Sequence, residues 1–344
     1  MMERALVIAP QWIGDAVMSQ PLVAALVQRG AVVAVAALPW VAPVYRAMSG
    51  VQQVIVLPFA HGRLDLMARV RIGRSLARRF DVAYVLPNSF KSALLPWFAG
   101  IARRIGYQGE GRRALLTDRL PNPRGRPPMV PFYRALAQAE PGDAVGATQP
   151  HLHVADDAIE RALAEAGGLP RAGYWVFAPG AEYGPAKCWP ASHYAELARM
   201  LQARLPAGAA PGVVLLGSAK EAASAAEITA AAPGACVNLI GRTSLDQAMA
   251  LIAGSRGVVS NDSGLMHVAA AFGLPQVAVF GSSSPIHTPP LNPRARVLWL
   301  KDELGLDCAP CFDRVCRFGH TRCLTGVPAD RARQALVSAC ETTP

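Results

Sequence analysis

Along the first half of the chain, short apolar runs rich in β-branched residues alternate with stretches whose apolar positions recur at helical spacing. Ala5–Ala9 reads as a strand ending at Pro10, and a helical pattern follows from about Asp15 to Arg29. Val32–Ala37, Val54–Leu57 and Val82–Leu86 read as further strands, each closing near a proline (Pro39, Pro58, Pro87). Buried parallel strands often end this way where they emerge into a loop. Between about Pro121 and Pro150 the chain turns rich in Pro, Gly and polar residues, and then the alternation resumes. Tyr174–Ala178, Val213–Leu216, Val237–Ile240, Gly257–Ser260 and Gln276–Phe280 read as strands. Helices are expected over about Ser192–Arg204, Met266–Ala271 and Asp330–Cys340, and no internal repeat is visible in the sequence.

This pattern predicts an α/β protein of two doubly wound, Rossmann-like domains. Residues 1–165 form the first and 172–328 the second, with the linker near 150–172. A C-terminal helix over 329–344 is expected to pack back toward the N-terminal domain. Such domains bind ligands at the carboxyl ends of their strands, so two facing domains would frame a central cleft. The length of 344 residues suits two cores, and 52% hydrophobic with 17% charged residues excludes a disordered chain. No apolar run reaches the ~20 residues of a membrane span. The first residues lack the apolar core and cleavage site of a secretory signal, so the protein is expected in the cytoplasm.

Charge changes the picture for the first half. The formal net charge is +10, and residues 1–150 hold 18 Lys/Arg against 8 Asp/Glu, whereas the remainder holds 16 of each. Arg69, Arg71, Arg74, Arg78 and Arg79 crowd one segment; Arg103, Arg104, Arg112, Arg113, Arg119, Arg124 and Arg126 crowd another. Any single arginine suits a solubilising surface, but a one-sided field points to a phosphate-bearing partner, either an anionic membrane surface or a phosphorylated substrate. Nucleic acid is not expected, because the basic runs lack interleaved aromatics and carry no binding motif.

Four loops carry candidate chemistry. Pro10-Gln11-Trp12-Ile13-Gly14-Asp15 has one glycine where a dinucleotide turn wants G-x-G-x-x-G, which disfavours an NAD-type oxidoreductase. Asp15 begins a helix, so it suits an N-cap and a general base equally. The loop Pro179–Pro190 contains Gly180, Ala181 and the isolated cation Lys187, suited to neutralising a diphosphate leaving group. Glu221, after the next strand, can accept hydrogen bonds from ribose hydroxyls or simply favour the first turn of a helix. Ser260-Asn261-Asp262-Ser263-Gly264-Leu265-Met266-His267 runs from a strand into a helix whose first amides and dipole favour phosphate. Asp262 also suits a cap and His267 a satisfied buried histidine; the combination is more specific than either residue.

Cys308, Cys311, Cys316 and Cys323 form a C-x2-C-x4-C-x6-C array. A structural zinc and four free thiols fit this spacing about equally well, because no second C-x2-C pair accompanies the first.

These stretches, together with Leu86-Pro87-Asn88-Ser89-Phe90-Lys91-Ser92-Ala93, resemble the ADP-heptose:lipopolysaccharide heptosyltransferases of glycosyltransferase family nine, across nearly the whole chain. The Asn-Ser-Phe-Lys-Ser and Pro-Gly-Ala-Glu-Tyr-Gly-Pro-Ala-Lys stretches are closer to the type that adds the second heptose than to the type that adds the first. The resemblance implies a GT-B fold and an inverting transfer from ADP-heptose to the first heptose of heptosyl-Kdo-lipid A; a type I enzyme or another member with a different core acceptor is the alternative. It further implies Asp15 as general base, and Lys187 as a catalytic cation on the donor phosphates. Glu221 would lie on the ribose, and Gly180, Ala181, Asp262, Ser263, Gly264 and His267 around the donor. Trp12, Asn88, Ser89 and Lys91 would meet the acceptor. No cofactor is implied for catalysis, and only some members carry a similar cysteine array. The enzyme is expected to lie peripherally on the cytoplasmic face of the inner membrane. A non-catalytic membrane- or glycan-binding module would explain the basic half but leave Asp15, Lys187 and the Asp262–His267 loop without a joint purpose.

Overall fold

The computed structural model describes residues 2–60, 64–137, 148–206 and 208–342. The chain divides into two compact units, Met1–His153 and Val154–Pro344. Part of the Pro/Gly-rich stretch that precedes the expected linker, 138–147, lies outside the described residues, as do 343 and 344.

In the first unit β1 (Arg4–Ile8), α1 (Ile13–Met18), α2 (Gln20–Gln28), β2 (Val32–Ala37), α3 (Ala42–Arg46) and β3 (Val51–Val56) are followed by α4 (Leu66–Ser75) and β4 (Val82–Val85). Then come α5 (Phe90–Phe98), β5 (Arg103–Tyr107), β6 (Asp118–Leu120) and α6 (Met129–Ala135). The second unit opens with α7 (Asp156–Glu165), β7 (Trp175–Ala178), α8 (Ala191–Gln202), β8 (Val213–Leu215), α9 (Ala222–Ala231) and β9 (Cys236–Asn238). It continues through α10 (Leu245–Ala253), β10 (Gly257–Asn261), α11 (Gly264–Ala271), β11 (Gln276–Val279), β12 (Ala295–Leu298), α12 (Arg322–Thr325) and α13 (Ala329–Glu341).

Each unit holds a six-stranded sheet, ordered β3-β2-β1-β4-β5-β6 in the first and β12-β11-β10-β7-β8-β9 in the second. Every pairing is parallel. Read from its own first strand, the second sheet repeats the order of the first, a structural repeat the sequence does not betray. In both, strand order reverses beside the first strand, between β1 and β4 and between β7 and β10. A crevice opens outside the carboxyl ends at such a switch point, and ligands bind there.

Continuous apolar strands bury both faces of each sheet: Ala5, Leu6, Val7, Val33, Val35, Val82 and Val85 are inaccessible or nearly so. Leu6, Ile8, Ala83 and Val85 pack with Leu76 at the end of α4 and with Ala93, Leu94 and Leu95 of α5. In the second unit Phe177, Val213, Leu215 and Val277 pack with Tyr194, Leu197, Ile228 and Leu336.

Several expectations are modified. The helix expected over 15–29 is two helices broken at Ser19, whose hydroxyl donates to the Ala16 carbonyl at 2.7 Å. Pro21 lies in the first turn of α2, where its missing N–H costs nothing. The segment 156–165, assigned to the first domain, is α7; it packs on α10 and belongs to the second unit. The C-terminal helix α13 packs on α8, β11 and β12 of its own unit, where its buried stripe of Ala329, Ala332, Leu336 and Ala339 joins the core. Three strands escaped the hydrophobic pattern, β5, β6 and β12, and each holds a basic residue at a sheet position. Arg103 pairs with Asp118 on the neighbouring strand at 2.6 Å.

Candidate active site

At the first switch point, the loops after β1 and β4 bring Trp12 and Asp15 to the same sheet edge as Asn88 and Ser89. Trp12, not Asp15, occupies the N-cap position of α1, and no side chain caps the helix there. Asp15 lies in the first turn, and the Tyr133 hydroxyl donates to its Oδ1 at 3.0 Å. The Tyr45 hydroxyl lies 2.9 Å from Ser19 Oγ, behind α1. Burial pushes both phenols above their ordinary range, so neither ionises near neutrality.

The β4–α5 loop is set by Arg112, which is fully buried. Its guanidinium donates to Asn88 Oδ1 at 3.1 Å and to the carbonyls of Pro87 and Tyr107. Ser89 caps the geometry of α5 by backbone, its carbonyl accepting from Ser92 Oγ at 2.6 Å. Arg69 is also buried, donating to the carbonyls of Leu64 at 2.6 Å and Lys91 at 3.0 Å with Phe59 stacked 4.0 Å away. Part of the arginine crowd is therefore structural scaffolding. Arg71, Arg74, Arg78, Arg79, Arg113, Arg119, Arg124 and Arg126 remain exposed.

At the second switch point, Lys187 Nζ meets Asp262 Oδ2 at 2.6 Å, and the ammonium sits 5.2 Å from the centre of the Tyr183 ring. Thr288 donates to Asp262 Oδ1 at 3.4 Å. Asp262 is thus an ion-pair partner; the N-cap position of α11 belongs to Ser263, which makes no capping bond. The buried Ser263 hydroxyl has no hydrogen-bond partner among the described residues, and Gly264 opens the helix. His267 is buried in the second turn; burial lowers its pKa to about 4, with Asp262 opposing and Lys187 reinforcing, so the imidazole is neutral.

Asn261 braces the two neighbouring strands. Its amide donates to the Pro179 carbonyl at 2.6 Å and accepts from the Trp189 backbone at 2.9 Å. Glu221 accepts from Ser218 Oγ at 2.8 Å. A Cβ at Gly180 would collide with the Glu221 side chain, so the glycine admits that carboxylate to the loop after β7, beside Ala181. Gly184, at φ +151°, lets the Lys187 loop run against the Arg314 carbonyl, 2.5 Å from where a Cβ would stand. All the expected donor residues therefore gather at the carboxyl edge of the second sheet. Asn261 and Thr288 join them unassigned; Asn261 carried its signal inside the Asp-Ser-Gly stretch, while Thr288 had none.

The cysteine array does not form the zinc site. Cys308, Cys311, Cys316 and Cys323 are free thiols lining one small pocket with His320. Among the described residues no group of three or more His, Cys, Asp or Glu side chains is arranged to hold a metal. The loop instead buttresses the Lys187 segment: Ala186 N–H donates to the Arg314 carbonyl at 3.0 Å, and Phe312 N–H to that of Ser282 at 2.7 Å.

The profile of glycosyltransferase family 9 (heptosyltransferase) matches residues 69–322. The chain belongs to glycosyltransferase family 9. Its relatives in the family include lipopolysaccharide heptosyltransferase 2 of Escherichia coli K12, 44% identical over 312 residues that cover 86% of this chain and 88% of that one. Lipooligosaccharide heptosyltransferase 2 of Haemophilus ducreyi is 42% identical over 318 residues, covering 87% and 89%. The solved structure of E. coli ADP-heptose lps heptosyltransferase II superposes with a TM-score of 0.83 at 38% identity, covering 98% of both chains. The fold is accordingly of GT-B type, two parallel doubly wound units, and family 9 membership makes the protein a glycosyltransferase.

Proposed function

We propose that the protein is an inverting heptosyltransferase that moves L-glycero-D-manno-heptose from ADP-heptose to the first heptose of heptosyl-Kdo-lipid A. The observation that carries this reading is the Lys187–Asp262 pair at the start of α11, on the second switch point. The second unit would hold the donor: Glu221 on the ribose, Lys187 and the first amides of α11 on the diphosphate, and Asp262, Ser263, Gly264 and His267 around sugar and phosphates. Gly180, which makes room for the Glu221 carboxylate, and Ala181 would line the donor beside it. The first unit would hold the acceptor through Trp12, Asn88, Ser89 and Lys91.

Asp15 takes the proton from the acceptor hydroxyl as its oxygen attacks the anomeric carbon. The bond to the diphosphate oxygen breaks on the opposite face, which inverts the centre. The charge arriving on ADP is met by the Lys187 ammonium and the helix-start amides, a preorganised electrostatic field. Similarity to heptosyltransferase 2 relatives over most of the chain supports the second-heptose acceptor.

A phosphorylated lipid acceptor and a peripheral place on the inner membrane suit the charge of the first unit. Met67, Arg71 and Arg74 are exposed at the spacing of one face of α4, with Met67 81% exposed, and Arg78 is exposed in the turn that follows. No helix among the described residues is long and apolar enough to cross a membrane.

The test pairs two acceptors with ADP-heptose and follows ADP release. Release with heptosyl-Kdo-lipid A is expected. Release only with unextended Kdo-lipid A would reassign the protein to the first heptose, and release with neither would overturn heptosyl transfer to this core.

A further inference from the structure

Helix α6 lies outside the strand–helix alternation, following the edge strand β6 and packing on α1 and α2. Its inward residues are Val130 and Tyr133. Tyr133 is 4% exposed, and its hydroxyl reaches Asp15 Oδ1 across 118 positions of sequence, at 3.0 Å. The ring is held in place: Phe132 packs edge-on to it at 5.6 Å and stacks on Tyr107 at 4.0 Å. The Tyr107 hydroxyl in turn donates to the Phe132 carbonyl at 2.6 Å. We propose that Tyr133 is the positioning residue of the transfer reaction, a fixed phenol that orients the Asp15 carboxylate and keeps it ionised to receive the acceptor proton.

The direction of the hydrogen bond follows from chemistry. An ionised carboxylate only accepts, so the phenol must donate. Tyr133 cannot lose its own proton near neutrality, because burial first and then the nearby Asp15 charge raise its pKa well above the ordinary value. It therefore cannot compete with Asp15 as the base. A donor to the charged form of an acid favours that form. The same bond would fix the carboxylate's rotamer, which matters because a base must lie within hydrogen-bond reach of the proton it takes. The elements packed on α1 carry few other ionisable groups: Tyr45 and Arg46 on α3 and Arg134 on α6, with none on α2. Tyr45 is buried and un-ionised as well.

This inference rests on Asp15 being the base, and two variants separate the two claims. Tyr133→Phe keeps the ring and its packing while removing the donor. Steady-state transfer from ADP-heptose to heptosyl-Kdo-lipid A is measured across pH for wild type, Tyr133→Phe and Asp15→Asn, with Tm of each. In Tyr133→Phe we expect kcat to fall about tenfold, a loss typical of one charge-assisted hydrogen bond. The acid limb of the kcat profile should move to higher pH, since a carboxylate that has lost a donor protonates earlier as pH falls. KM for ADP-heptose and Tm should stay near wild type. Asp15→Asn should be inactive at every pH. Wild-type kcat and acid limb in Tyr133→Phe, beside an inactive Asp15→Asn, would overturn the positioning role alone. A lowered Tm or raised donor KM with an unmoved acid limb would make Tyr133 merely structural and overturn it too. Normal transfer by Asp15→Asn would overturn the base assignment itself, and the role of Tyr133 with it.

Discussion

Lys187 and Asp262 stand 75 positions apart in sequence, yet their charged atoms meet at 2.6 Å with only 17% and 6% of the side chains exposed. Each side chain comes from a different loop, one after β7 and one after β10, and these strands are neighbours in register. A pair so placed neutralises Asp262 in its buried setting and aims an ammonium at the start of α11.

The structural and catalytic parts of this pair separate in a double substitution. Lys187→Met strands the Asp262 carboxylate, which should cost about 3 kcal/mol, the low end for a broken buried pair because Lys187 keeps some water. That corresponds to a fall in Tm of roughly 6–12 °C. Adding Asp262→Leu removes the stranded charge and should return most of that Tm. Transfer should stay at least 100-fold down in both variants, because the leaving diphosphate has lost its cation. Thermal unfolding and ADP release measure the two arms, and recovery of transfer in the double variant would show that Lys187 serves only Asp262.

Asp15→Ala should separate chemistry from donor binding. Losing a general base costs roughly 10²–10⁴ in rate. Every proposed donor contact lies in the second unit, so ADP-heptose binding followed by calorimetry should match wild type. A variant that transfers at the normal rate would remove Asp15 from the mechanism.

The donor loops were legible because each is a local string: Pro179–Lys187, Gly217–Glu221 and Asn261–His267 follow apolar strands directly, and parallel strands deliver consecutive loops to one edge. Sequence also placed Asp15 correctly after β1, but left it balanced between cap and base; the structure moves Trp12 into the cap position. Tyr133 was not legible, since α6 is a short helix whose partner is 118 positions away and whose only signal is a tyrosine beside a phenylalanine. Arg69 and Arg112 were read as part of a charged surface. Both are buried among carbonyl groups, and nothing in their neighbours' identity announces main-chain acceptors. The cysteine spacing allowed a metal that the folded loop does not assemble, because spacing constrains reach and not direction.

If the exposed face of α4 meets an anionic bilayer, reversing its charge should weaken that contact. Arg71→Glu with Arg74→Glu lies on the outside of the helix and should leave Tm nearly unchanged. Each juxtamembrane cation is worth about 1 kcal/mol at an anionic surface, so the double reversal should lower binding to phosphatidylglycerol-containing vesicles by tenfold or more. The effect should shrink with added salt and vanish on phosphatidylcholine vesicles. Equal binding of wild type and variant to anionic vesicles would remove α4 from any membrane contact.

His267 should make the protein sensitive to mild acid. Burial holds its folded pKa at about 4, whereas an unfolded histidine titrates near 6.5. Above pH 6.5 neither state binds the proton and the residue contributes no pH dependence. Between 6.5 and about 4 only the unfolded chain takes it up, so stability is lost steadily as pH falls through that window. The loss should reach on the order of 3 kcal/mol by the lower limit and flatten below it. His267→Gln removes the titration while keeping a polar side chain of similar reach, so its Tm should vary less over the same range. Parallel Tm-against-pH curves for wild type and His267→Gln would place the imidazole in an open, solvated setting at the head of α11 instead of a buried one.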